Sequence, residues 1–290
     1  KVKSRNQKFF SPMATRKILG TGGALTYGTK RIIGIANNKG GVGKTTTTVN
    51  IALKLASLGF KTLIIDNDPQ ANATSFLTKK NDIKFEHTLL NVVKEQCKVE
   101  DSIVQINECL DLIPSRLTNE EINFFLQTQS GQGLGASKYR IETYYKKMLE
   151  KLDYDFIIWD MNPSWSMQTK YALLSCDEVI IVANLEEFAT EGIDSSKTVI
   201  TQAVKEFEGT FDPEVKVLLN RVDKRIKTSF AYAEEINDLG LEVFDTTIRT
   251  DIEIPKSQKE RVALPMKSRA YEDISNLVYE LTGLDEVINH

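Results

Sequence analysis

Histidine and cysteine are scarce in this chain, and long apolar runs are missing. The two histidines, His87 and His290, stand far apart and offer no metal constellation. Three cysteines, Cys97, Cys109 and Cys176, are odd in number and lack CxxC spacing. That excludes a disulfide framework and a zinc site, and fits unpaired thiols in a reducing compartment. No stretch approaches the ~20 apolar residues that span a bilayer. The basic residues at the start are not followed by an apolar run, so no signal peptide is expected and a cytoplasmic location is. Aromatic residues do not alternate with basic ones, so stacking on single-stranded nucleic acid is not indicated.

What is present is ordinary globular material, 41% hydrophobic and 27% charged over 290 residues. The formal net charge of −3 singles out no partner, but its distribution is uneven. Residues 1–31 hold eight lysines and arginines and no acidic residue, while the rest of the chain holds all 40 acidic residues. We therefore read a basic N-terminal arm, residues 1–30, ahead of one domain, residues 31–290. Such an arm suits nucleic acid or an acidic protein surface, and equally a solvated tail.

Apolar runs of strand length recur at 31–36, 61–66, 155–160, 178–183 and 215–220. Continuous apolar strands are expected where helices cover both faces of a sheet. Helical patterns lie between them, at 44–58 and at about 118–127, 138–152, 166–175, 190–207, 228–239 and 268–282. Gly59 supplies a stop for the first helix. Gly131, Gly133 and Gly135 suggest a loop before the 138–152 helix. Alternating strands and helices predict an α/β fold, a doubly wound, mainly parallel sheet with helices on both faces.

The strongest chemical signal is Lys39-Gly40-Gly41-Val42-Gly43-Lys44-Thr45-Thr46, between the first strand and the first helix. Glycine-freed backbone N–H groups there cradle phosphate oxygens, and the helix N-terminus adds positive potential. Lys44 is placed to reach β- and γ-phosphates, and the Thr45 hydroxyl to ligate Mg²⁺. The common phosphate-loop pattern has glycine where this chain has Asn38, so the loop is a variant with a second lysine. Asp66-Asn67-Asp68-Pro69-Gln70 ends the second strand, and ligands bind at the carboxyl ends of parallel strands. One of these carboxylates is suited to orient or deprotonate an attacking water. Asp160 ends the hydrophobic strand Phe156-Ile157-Ile158-Trp159, a pattern whose carboxylate holds Mg²⁺.

Residues 39–47, 63–74 and 154–160 together resemble the deviant Walker A ATPases, most nearly the ParA/Soj partition proteins. Leu112-Ile113-Pro114-Ser115, Phe188-Ala189-Thr190-Glu191-Gly192 and Asn220-Arg221-Val222-Asp223 extend the resemblance over roughly residues 31–282. It implies an ATPase with ATP and Mg²⁺ as cofactors and an ATP-bound homodimer. Lys39 would cross to the partner's phosphates. Asp68 would serve hydrolysis with Asp66 as its companion, Asp160 the metal, and Asn220 the adenine ring. It further implies binding to non-specific double-stranded DNA, a ParB-like centromere-binding adaptor that stimulates hydrolysis, and nucleoid association when ATP is bound. The arm is too short for the helix-turn-helix domain of larger relatives. Met161-Asn162-Pro163 replaces the usual Thr-Pro-Pro, and Asn184 a usual proline, so turnover is not predictable from the resemblance.

Lys224, Arg225, Lys227, Arg249 and Arg269 are the candidate DNA contacts, with Lys256, Lys259, Arg261 and Lys267 among them in sequence. Nine acidic residues between Asp223 and Glu260 favour a mixed solvated face instead. A MinD-like membrane-cycling enzyme would need a basic amphipathic C-terminus, but residues 271–290 hold five acidic residues and no lysine or arginine. A nitrogenase-type iron protein needs paired cysteines that are missing here. A tyrosine kinase would carry a tyrosine cluster where only Tyr271 and Tyr279 stand. Partition ranks first, and a cargo-positioning relative outside DNA segregation second.

Overall fold

The computed structural model describes residues 30–131, 145–184, 189–206, 211–222 and 234–284. The arm up to residue 29, Gly133, Gly135, Lys224, Arg225 and Lys227 lie outside the described residues. Five strands fall where the apolar runs predict them: β1 (Arg31–Ala36), β2 (Thr62–Asp66), β5 (Phe156–Asp160), β6 (Glu178–Asn184) and β7 (Glu214–Val222). Four short strands were not anticipated: β3 (Val104–Gln105), β4 (Leu110–Ile113), β8 (Glu242–Val243) and β9 (Ile248–Arg249). Three of these are only two residues long, too short for any periodicity to register.

The sheet order is β3-β4-β2-β5-β1-β6-β7-β8, with β9 also paired to β7. Every pairing is parallel except β3 with β4. Successive residues of a strand point to opposite faces, and each face has its own core. Ile33, Ile35, Ile64, Ile158 and Ile180 pack on one side; Ile32, Leu63, Ile65, Ile157 and Trp159 on the other. This two-sided burial explains why the central strands read as unbroken apolar runs.

The helices are α1 (Lys44–Ser57), α2 (Asn72–Thr78), α3 (Leu89–Val93), α4 (Glu121–Gly131), α5 (145–150), α6 (Met167–Leu173), α7 (Ala189–Glu206), α8 (234–238), α9 (Glu253–Glu260) and α10 (Arg269–Thr282). Helix α1 packs on α10, and both belong to the core that contains Ile33 and Ile64. Gly131 is the last residue of α4, not part of a loop. Helix α9 escaped sequence reading because Glu-Ile-Pro-Lys-Ser-Gln-Lys-Glu is polar and contains a proline. Pro255 sits in the first turn, where its missing N–H has no helical partner to lose. Lys30 belongs to the body and not to the arm: its Nζ donates to the carbonyls of Leu149 and Glu150 at 2.7 and 3.0 Å. Among the described residues no helix is long and apolar enough to cross a membrane.

Candidate active site

The site forms where β1, β2 and β5 end. β1 lies between β5 and β6, so the chain leaves β1 through residues 37–43 and enters α1 directly. Buried Asn37 shapes this loop. Its amide donates to Val182 O at 2.8 Å, and its oxygen accepts from Lys39 N at 2.8 Å. Gly41 and Gly43 take φ of 76° and 101°, a region that disfavours side chains. Gly43 is excluded from change for a second reason: a Cβ there would collide with Asn220 Nδ2. Helix α1 has no side-chain cap, so its first amides stay available to an anion.

Lys44 is buried, and its Nζ donates to Lys39 O at 2.9 Å, which holds the ammonium over the loop. Burial lowers its pKa, opposed by the charges of Asp160 and Asp68. Lys39 is exposed and is not among the residues lining the adjoining cleft. That cleft has a volume of about 610 Å³. Gly40, Gly41, Gly43, Lys44, Thr45, Thr46 and Asp68 line it, with Pro163, Arg221, Gln258 and Arg261.

Three carboxylates gather there in different states. Asp66 and Asp160 are register partners on β2 and β5. Asp66 is fully buried and engaged: one oxygen accepts from Thr74 N and Oγ1 at 2.8 and 2.7 Å, the other from Asp68 N at 3.2 Å. Burial raises it to about 6 despite those bonds. Its geometry makes it a positioning residue for the Asp68 turn and the start of α2. Asp68 accepts from Gln70 N at 2.9 Å and lines the cleft. Asp160 is raised to about 8, first by burial and then by the charge of Asp66, with the Thr45 hydroxyl pulling the other way. Its Oδ1 accepts from Thr48 Oγ1 at 3.2 Å, while its Oδ2 is buried without a hydrogen-bond partner among the described residues.

That orphaned oxygen, beside the Thr45 hydroxyl, fits a Mg²⁺ ion delivered with phosphates. Mg²⁺ is held by one or two carboxylates plus substrate oxygens and not by an all-protein cage. Among the described residues no three acidic, histidine or cysteine side chains are arranged to hold a metal ion by themselves.

Two of the predicted site residues are engaged within the chain. Asn220 does not present a free amide to a base: its Nδ2 donates to Val42 O at 2.7 Å and its Oδ1 accepts from Arg221 N at 2.9 Å. Its amide braces the phosphate loop. Arg249 is not an open cation: its Nε donates to both oxygens of Asp273 at 2.9 Å, and its Nη2 to Glu272 at 2.6 Å. Arg269, by contrast, is exposed.

Sequence reading gave Gln168 and Gln258 no role, carried Arg221 only within a motif and counted Arg261 only as a positive charge, yet all but Gln168 line the cleft. Gln168 Nε2 donates to Asn67 O and Oδ1 at 3.0 and 2.9 Å, fixing the residue between Asp66 and Asp68. The Met161 departure is buried in the core. Its side chain packs over Gly34, where an added Cβ would lie 2.6 Å from Met161 Cε.

Residues 30–217 match a family described as an AAA domain. The chain is similar to the sporulation initiation inhibitor protein Soj of Bacillus subtilis, at 33% identity over 263 residues, covering 87% of this chain and 98% of that protein. Its fold is similar to that of a plasmid partition protein of Borrelia burgdorferi bound to AMPPNP, with a TM-score of 0.68 at 27% identity, covering 87% and 98% of the two chains. It is also similar to cobyrinic acid a,c-diamide synthase of Mycobacterium smegmatis with a bound ATP analogue and magnesium, with a TM-score of 0.71 at 25% identity, covering 86% and 93%.

Proposed function

The chain belongs to the ParA/Soj family of partition ATPases, and from that premise we propose that it hydrolyses Mg-ATP to ADP and phosphate in a DNA-segregation cycle. Lys44 and the loop amides bind the β- and γ-phosphates. Thr45 and Asp160 hold Mg²⁺, which neutralises phosphate charge during transfer. Asp68 orients the attacking water, and Asp66, through its bond to the Asp68 amide, keeps that carboxylate in place. ATP closes a homodimer in which Lys39 reaches the partner's phosphates and offsets their mutual repulsion. The dimer binds double-stranded DNA without sequence preference, using Arg269 and the 224–227 lysines and arginine, and a ParB-like adaptor stimulates turnover. Its place is the cytoplasm, on the nucleoid while ATP is bound.

The observation that carries this reading is the division of the two lysines. Lys44 lines its own cleft, whereas Lys39, five residues earlier, is exposed and does not. Sedimentation with ATP beside a phosphate-release assay tests it. Lys39→Gln is expected to bind ATP as a monomer without closing the dimer. Asp68→Ala is expected to dimerise, hold DNA and lose turnover by about 10²-fold. A Lys39→Gln chain that dimerises and turns over normally removes the cross-subunit role.

A further inference from the structure

The cleft has a second wall that the phosphate-binding residues do not use. Two arginines stand on it, Arg221 after Asn220 on β7 and Arg261 at the C-terminus of α9. Among the described residues neither guanidinium has a hydrogen-bond or ion-pair partner. Both residues also take left-handed backbone conformations, with φ of 56° and 53°. Arg261 occupies the helix-ending position where glycine is usual, so its side chain is kept at a backbone cost.

Each arginine hangs from an element tied to the phosphate loop or its helix. The Arg221 amide is held by Asn220, whose own amide grips Val42 O. Helix α9 is fastened by Gln258, whose carboxamide donates to the Thr46 hydroxyl. A small second cavity with the apolar walls Ile248, Ile254 and Leu264 also counts Arg221 and Thr46 in its lining. A nucleotide whose phosphates lie on residues 40–45 leaves the loop past Thr46, toward this wall. The part of the ligand arriving there is uncharged and contains a flat ring. Guanidinium planes stack on such rings, which an ammonium does less well.

We propose that Arg261, with Arg221 beside it, binds the nucleoside half of the nucleotide by stacking on the base. The inference rests on the ATP-binding reading above and goes beyond it, since the phosphate loop alone does not distinguish a nucleotide from a polyphosphate.

Calorimetric titration with two probes, Mg-ADP and inorganic tripolyphosphate with Mg²⁺, tests it on the full chain. Arg261→Ala and Arg261→Lys should each weaken Mg-ADP about tenfold, within the range of a desolvated cation–ring contact, and leave tripolyphosphate unchanged. Arg261→Gly should weaken Mg-ADP equally while raising the melting temperature by about 3 °C, because the backbone strain is relieved. This rise separates lost binding from lost folding. Wild-type affinity for Mg-ADP in Arg261→Ala, equal losses for both probes, or full rescue by lysine would each overturn the proposal. Failure of the wild-type chain to bind either probe would instead overturn the ATP-binding reading itself.

Discussion

At the N-terminal ends of β1 and β6, Arg31 donates to both oxygens of Glu178, at 2.6 Å for the Nη2 contact, and its Nη1 reaches Leu281 O at 2.6 Å. Next to it, Asp177 accepts the Ile32 amide at 2.9 Å. At the opposite end of the sheet, Asp66 on β2 and Asp160 on β5 lie side by side, both raised by burial, and Asp160 Oδ2 has no partner among the described residues. Asn67 Nδ2 and Asn184 Oδ1 are likewise buried and unpartnered among the described residues. One end of the sheet neutralises its buried charges within the chain and so fixes how α10 docks on β1. The other end leaves them for a cation and phosphates to complete. Similar burial therefore serves stability at one end and binding at the other.

The largest effect should come from breaking the satisfied end. Glu178→Ala strands the Arg31 guanidinium, which is only 11% exposed in its side chain. Losing one partner of a buried pair costs about 3–5 kcal/mol, read as a lower midpoint in urea denaturation. A loss below about 1 kcal/mol, the range of surface pairs, would erase the contrast between the two ends.

The unsatisfied end should respond with the opposite sign. Because Asp160 and Asp66 are raised to about 8 and about 6, the folded chain keeps protons that the unfolded chain releases near pH 4. Stability of the nucleotide-free protein therefore falls as pH rises from about 4 toward 8 on account of these two groups. Asp160→Asn removes the larger contribution. It is expected to stabilise the nucleotide-free chain at pH 8 by about 1–2 kcal/mol and to flatten melting temperature against pH. The same change should abolish the Mg²⁺ dependence of ATP binding. An Asp160→Asn chain less stable at pH 8 than wild type would show that the carboxylate contributes to the fold.

What was legible in advance follows the same division. The loop from Lys39 to Thr46 and the strand-end carboxylates Asp66, Asp68 and Asp160 were readable because glycine spacing and apolar runs are local signals. The bond from Gln258 to Thr46 spans 212 positions, and no pattern within α9 announces it. Arg261 counted in sequence only as one more positive charge near the C-terminus, whereas in space it lines the cleft beside the phosphate loop. The bond from Asn220 to the phosphate loop was not legible, since only the fold brings Val42 O within reach of its amide. The positions 224, 225 and 227 lie outside the described residues, so the proposed DNA face rests on Arg269 and on family membership.

The smallest effect concerns the two arginines proposed from sequence for that face. Arg249 and Arg269 looked equivalent as charges, yet Arg249 is clamped between Asp273 and Glu272, while Arg269 is exposed at the first position of α10. The carboxylates hold the Arg249 guanidinium well above its ordinary pKa, led by the Asp273 hydrogen bond. A cation already neutralised by two carboxylates releases little counterion on meeting a phosphate backbone. Arg249→Ala should therefore cost about 1 kcal/mol of stability, toward the upper end for a partly exposed pair because Asp273 is buried. It should change DNA affinity less than about twofold. Arg269→Ala should do the reverse, leaving the melting temperature in place while lowering the log–log salt slope by about 1. Fluorescence anisotropy with duplex DNA in ATP, at several salt concentrations, separates the two. If Arg249→Ala loses as much DNA affinity and slope as Arg269→Ala, the clamp opens in the complex and both arginines belong to the DNA face.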